Sequence, residues 1–242
     1  MIKHIIASGC SFTEDGTGGV PPSDTDPTGG CSYTNNLSDN RPIPNTWVGY
    51  VAQQLQVSSL VNLSAGSHGN FLIANNIITL LNLYHYDPTT TVVLFNISDP
   101  ARLDVPCSWD HPDRSTFCHW SSSIIPYTYF GRNSQINGLM SKNIGIEQIE
   151  IASSNALLGM MSFLKKQKIN FKFMMMSDYR AHDYLGPILN QFRSHMIELT
   201  PGAGMKEFVQ NLNLNTGDQF HPDTHGHQRI AEVVLETLSK EL

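Results

Sequence analysis

Charge is scarce in this chain. Asp, Glu, Lys and Arg make up only 15% of its 242 residues, and the balance is −6. No basic cluster stands out, which argues against gripping a phosphate backbone and so against a nucleic-acid partner. A neutral sugar or an ester remains open, because neither needs a net field. Long apolar runs are also missing. No stretch approaches the ~20 consecutive apolar residues of a membrane helix, and no membrane partner is expected. Met1-Ile2-Lys3-His4 leads straight into a β-branched run, without the basic, apolar and small-residue segments of a secretory leader. The expectation is a cytoplasmic or particle-associated protein. Cysteine is sparse: Cys10, Cys31, Cys107 and Cys118 lie far apart with no Cys-x-x-Cys. That speaks against a disulfide framework and leaves a pairing of Cys107 with Cys118 open. Cys107, His111, Cys118 and His119 gather in one loop-like segment, but their spacing fits no common zinc finger. No metal and no cofactor is expected. Internal repeats are absent, and the length suits one domain, 1–242.

What is present is an alternation of strand and helix patterns. Apolar, β-branched runs at 2–8, 59–63, 90–97 and 169–176 read as strands, and 90–97 as a central, doubly buried one. Helical spacing marks 47–55, 70–83, 144–168, a segment 184–199 broken early at Gly186-Pro187, and a last helix through Leu238. Residues 205–212 fit a short helix or a strand. This order implies an α/β fold with a mainly parallel sheet flanked by helices. Two long insertions read as loops: one near 14–45, rich in Gly, Pro, Ser, Asp and Asn, and one near 98–138, dense in Pro, Ser, His, Asp and aromatics. The first starts beside Ser11 and suits a flap or a passive insertion.

The chemistry concentrates at the two ends of the chain. The first strand stops at Gly9 and then presents Ser11 in Gly9-Cys10-Ser11-Phe12-Thr13. Ligand sites of open α/β sheets lie at that edge of the strands. Near the other end stands Asp218-Gln219-Phe220-His221-Pro222, followed by Gly226-His227. An Asp three residues before a His can orient the imidazole while its other nitrogen faces a Ser hydroxyl, the orienter, base and nucleophile of acyl transfer. Asp223 and His225 are rivals for these places, and His227 reads as a helix residue near the site.

The two blocks together resemble the SGNH (GDSL-type) hydrolase family, with Cys10 standing where that family usually has Asp. The resemblance implies a three-layer flavodoxin-like fold and catalytic Ser11, Asp218 and His221. It also implies an oxyanion hole from the backbone of Ser11, a second-block glycine and a third-block Asn. Gly66 is preferred for the second block, with Ser67 and Gly69 competing, and Asn96 fits the third, where Leu94 and Ile97 replace the usual Gly and Asp. The implied function is serine ester hydrolysis through a covalent acyl-enzyme, without cofactor. The polar and aromatic insertions suit a small acyl ester on a polar carrier, such as an O-acetylated carbohydrate. A non-catalytic glycan-binding or structural module on the same scaffold, even part of a larger assembly, is the alternative. The oligomeric state is open.

Overall fold

The computed structural model describes residues 1–10, 12–13, 33–36, 45–64, 68–105, 122–124, 145–216 and 221–240. Its centre is a five-stranded sheet built from β1 (His4–Ser8), β2 (Tyr33–Asn36), β3 (Ser59–Asn62), β4 (Thr91–Ile97) and β7 (Asn170–Met175), in the order β2-β3-β1-β4-β7. The strands β3, β1, β4 and β7 run parallel, and β2 closes the β3 edge antiparallel. β5 (Leu103–Val105) and β6 (Ser122–Ile124) form a separate antiparallel pair. The described helices are α1 (Trp47–Gln54), α2 (Asn70–Leu83), α3 (Ile146–Lys166), α4 (Leu185–Gln191), α5 (Met205–Asn211) and α6 (Thr224–Ser239).

Side chains alternate across each strand, so the sheet divides the core in two. Ile5, Ala7, Leu60, Val92, Leu94 and Met174 face a layer made by α1, α5 and α6. Ile6, Val61, Val93, Phe95, Ile97 and Phe173 face α2, α3 and α4. All seven residues of β4 are buried, as expected of a strand covered on both sides. Asn96 shares the parity of Val92 and Leu94. It therefore points into the α1/α6 layer, at the C-terminal edge of the sheet.

Three expectations need correction. Tyr33–Asn36 is a strand inside what reads as a loop; it pairs Tyr33 with Asn62 and Asn36 with Ser59. An edge strand is recruited by the unpaired backbone of its neighbour and needs no apolar alternation of its own. Likewise, 103–105 and 122–124 form a ladder within the second insertion. Third, Gly186-Pro187 opens α4 instead of breaking it, since a first-turn residue has no helical carbonyl partner for its N–H. The helix ends at Gln191, a short 3₁₀ turn follows at Arg193–His195, and Ile197 donates to the Phe173 carbonyl at 2.8 Å beside β7. Residues 205–211 are helical. The rest of both insertions lies outside the described residues.

Candidate active site

β1 ends at Ser8, and Gly9, Cys10, Phe12 and Thr13 form the turn that follows. Thr13 N–H donates to the Cys10 carbonyl at 2.9 Å, closing the turn around position 11. Ser11 itself lies outside the described residues, but its frame is well defined. From β4, Asn96 Oδ1 accepts from Cys10 N at 3.1 Å and from the Thr13 hydroxyl at 2.6 Å. From β3 on the other side, Asn62 Nδ2 donates to the Thr13 carbonyl at 3.1 Å. The turn is thus clasped by an Asn from each flanking strand. Gly9 is required for this approach: a Cβ there would stand 1.9 Å from Asn96 Oδ1.

The orientation of the Asn96 amide follows from its partners. Trp47 Nε1, which can only donate, gives its hydrogen to Thr13 Oγ1 at 3.2 Å. The Thr13 hydroxyl hydrogen is then directed to Asn96, which must present its oxygen. Asn96 Nδ2 accordingly faces Cys10 Sγ at 3.2 Å. Cys10 is fully buried and also touches Met176 Sδ at 3.9 Å, turned into the α1/α6 core.

The other end of the chain comes to the same turn. The His221 ring packs on Phe12 with centroids 4.9 Å apart and planes tilted by 38°. Residues more than two hundred positions apart in sequence thus meet one residue from Ser11. The backbone around His221 is fixed by an Asn215–Pro222 bridge and by Thr216 N–H donating to the His221 carbonyl at 2.8 Å. Asp218 lies outside the described residues. Of the rivals, Asp223 caps α6, its carboxylate accepting from Gly226 N at 2.7 Å, and His225 is exposed. His227, on α6, is buried and accepts from Trp47 N at 3.3 Å through Nδ1. It joins α6 to α1 behind the turn.

The second block starts at Ser64, whose N–H donates to Asn62 Oδ1 at 3.1 Å. Gly66 and Ser67 lie outside the described residues. His68 and Gly69 return as the N-terminal approach to α2. His68 is 7% exposed, and its Nδ1 has no hydrogen-bond partner among the described residues. Burial, and then the nearby Arg102 charge, lower its pKa to about 4; a backbone contact with Gly9 opposes them. His68 is therefore a neutral imidazole against the nucleophile turn. Burial likewise holds the Tyr179 phenol well above its ordinary range, with Asp99 and Cys10 adding to the effect.

Spacing and composition single out neither Thr13, Asn62 nor Asp104, although each carries a bond that shapes the site. Asn62 ends β3 and Thr13 lies in the turn after β1, whereas Asp104, in the middle of β5, has no such signal in the sequence. Among the described residues, no group of three or more His, Cys, Asp or Glu is placed to hold a metal, and the Cys107, His111, Cys118 and His119 group lies outside them. Nor is any described helix long and apolar enough to cross a membrane.

No family model and no curated protein matches the sequence. Solved structures do. A catalytic His-to-Ala mutant of Axe2, an acetylxylan esterase from Geobacillus stearothermophilus, superposes with a TM-score of 0.52 at 11% identity, covering 98% of this chain and 94% of that one. A catalytic Ser-to-Ala mutant of the same enzyme gives 0.50 at 11% identity over the same shares. A member of the lipolytic G-D-S-L family from Veillonella parvula aligns over 98% and 99% of the two chains, at 10% identity and a TM-score of 0.46; at that score it adds no weight. The chain has the fold of the SGNH (GDSL-type) hydrolases, an α/β sandwich around a mainly parallel sheet.

Proposed function

We propose that the protein is a serine ester hydrolase of the SGNH type, with Ser11 as nucleophile, His221 as base and Asp218 as the carboxylate that orients it. The observation that carries this reading is the His221 ring seated on Phe12, the neighbour of Ser11. Ser11 Oγ attacks the ester carbonyl while its proton passes to His221. His221 then protonates the departing alcohol, leaving an acyl-Ser11. Water, deprotonated by the same imidazole, cleaves that ester and releases the carboxylic acid. The backbone N–H groups of Ser11 and Gly66 hold the developing oxyanion. Asn96 assists with the Nδ2 hydrogen not directed at Cys10, its Oδ1 being held by the Thr13 hydroxyl and the Cys10 N–H. No step calls for a cofactor.

The substrate is a small acyl ester on a polar carrier, an O-acetylated carbohydrate being the model case. Two features support it: the polar and aromatic character of the insertions, and a fold neighbour named an acetylxylan esterase. A chromogenic acetate ester should be hydrolysed by the wild type and not by Ser11→Ala, and an organophosphonate should label Ser11. A folded wild-type sample that gives neither turnover nor adduct refutes the reading. The engagement of one Asn96 Nδ2 hydrogen by Cys10 favours a second reading, a glycan-binding module without turnover. Binding of an acetylated oligosaccharide unchanged by Ser11→Ala, without hydrolysis, would establish it.

A further inference from the structure

The first turn of α2 lacks a cap of its own. Gly69 occupies the N-cap position with extended backbone (φ −88°, ψ 175°) and no side chain to accept from the helix. The missing acceptor arrives from the second insertion. Asp104, on β5 and only 7% exposed, accepts from Gly69 N through Oδ1 and from Leu72 N through Oδ2, each at 2.8 Å. One carboxylate thus does what a capping box does with two side chains: it satisfies the N-cap and N3 amides and sets a negative charge at the positive end of the helix. The fit is close. A Cβ on Gly69 would stand 2.7 Å from Asp104 Oδ2 and 2.9 Å from Oδ1.

What this cap holds is connected to the nucleophile turn by two routes. His68, next to Gly69, lies against the Gly9 backbone, and its own carbonyl accepts from Arg102 at 3.3 Å. Asn70, fully buried, clasps Ser98 both ways: Ser98 N donates to Asn70 Oδ1 at 2.8 Å, and Asn70 Nδ2 donates to the Ser98 carbonyl at 3.0 Å. Ser98 stands two residues beyond Asn96. The chain from Ser64 to Gly69 is therefore tethered at one end by Asn62 and at the other by Asp104.

We propose that Asp104 is a positioning residue: from the second insertion it fixes the start of α2, and through it the second block, against the turn that carries the nucleophile. This rests on the ester-hydrolase reading above. It makes the insertion a working part of the site rather than a decoration on the scaffold.

The test pairs Asp104→Ala with Gly69→Ser. Asp104→Ala should lower kcat on the order of 10–100-fold with KM nearly unchanged, since misplacement of a catalytic element acts on the transition state. Gly69→Ser alone should harm both stability and kcat, because its Cβ meets the carboxylate. In the Asp104→Ala background the same substitution has room, and its hydroxyl can cap Leu72 N from within the helix. There it should restore Tm and kcat. A substitution harmful in one background and restoring in the other is not expected of a surface carboxylate. Asp104→Ala with lowered Tm and unchanged kcat would overturn the positioning role, and so would Gly69→Ser equally harmful in both backgrounds. If the wild type hydrolyses no ester, the ester-hydrolase reading fails on its own and amide exchange decides the matter. Faster exchange in Asp104→Ala at Gly69, Leu72 and also Cys10 sustains the coupling; faster exchange confined to Gly69 and Leu72 ends it.

Discussion

Thr13 uses both roles of its single hydroxyl. It accepts from the Trp47 indole and donates to Asn96, and it is fully buried. Thr13→Val keeps the shape and removes both bonds, leaving a buried indole N–H without an acceptor and Asn96 Oδ1 with one partner in place of two. A buried polar group left unsatisfied costs about 1–3 kcal/mol, so a stability loss of about 2–3 kcal/mol is expected in urea unfolding. In the proposed mechanism the rate should suffer separately, because only the Cys10 N–H then remains to hold the Asn96 amide in its orientation. Complete loss of an oriented oxyanion donor is worth a factor on the order of 10²–10³, so kcat of Thr13→Val under native conditions should fall by up to that factor. A variant with full kcat and reduced stability would show that the Trp47–Thr13–Asn96 chain serves folding alone. The resemblance to the hydrolase family leads to Asn96, and its place at the end of β4 agrees. Thr13, whose hydroxyl orients it, has nothing in its local sequence to mark it out: the bond spans 83 positions of chain.

At the scale of elements, two carboxylates five residues apart have different duties in the proposed mechanism. Asp223 is the N-cap of α6, bonded to Gly226 N at 2.7 Å, and Asp223→Ala should cost about 1 kcal/mol of stability while leaving kcat within a few-fold. Asp218→Ala should do the reverse, lowering kcat by about 10⁴ when the imidazole loses its orienting partner with little change in Tm. Thermal unfolding and ester turnover measured on both variants separate the assignments; a collapse of kcat in Asp223→Ala would exchange them. Elements whose own pattern determines them are readable in advance. β4 is apolar on both faces because helices cover both, and α2 spans 70–83 as its apolar spacing predicts. Elements that exist because a neighbour needs them are not. β2 completes an open edge with Tyr-Thr-Asn-Asn, and the Asp104 ladder is only three residues long, Leu-Asp-Val against Ser-Ser-Ile. Pro187 misleads for a related reason: whether a proline ends or begins a helix depends on where the preceding loop stops.

For the molecule as a whole, the site is a meeting of strand ends, and its legibility follows from that. The two end blocks point to the residues proposed to carry the chemistry, and Phe12 and His221, one from each block, do meet. How they are held could not, because Asn62, Asn96, Trp47, His227 and Asp104 come from five different elements and meet only in the folded sheet. One consequence reaches global stability. His68 is buried and neutral, with its pKa lowered from 6.5 to about 4 by burial first and Arg102 second. In the unfolded chain the same imidazole takes a proton near its ordinary value, so between those two pH values the unfolded state binds more protons than the native one. Stability must then fall as pH is lowered from about 6.5 towards 4 and level off below, where the native ring protonates too. The full span corresponds to roughly 3 kcal/mol. Urea midpoints measured from pH 7 to pH 4 should show this slope in the wild type. His68→Gln, which carries no titrating group, should flatten it by about one proton. Equal slopes in the two proteins would mean that His68 meets solvent in the native state, and the packing of the second block against Gly9 would have to be redrawn.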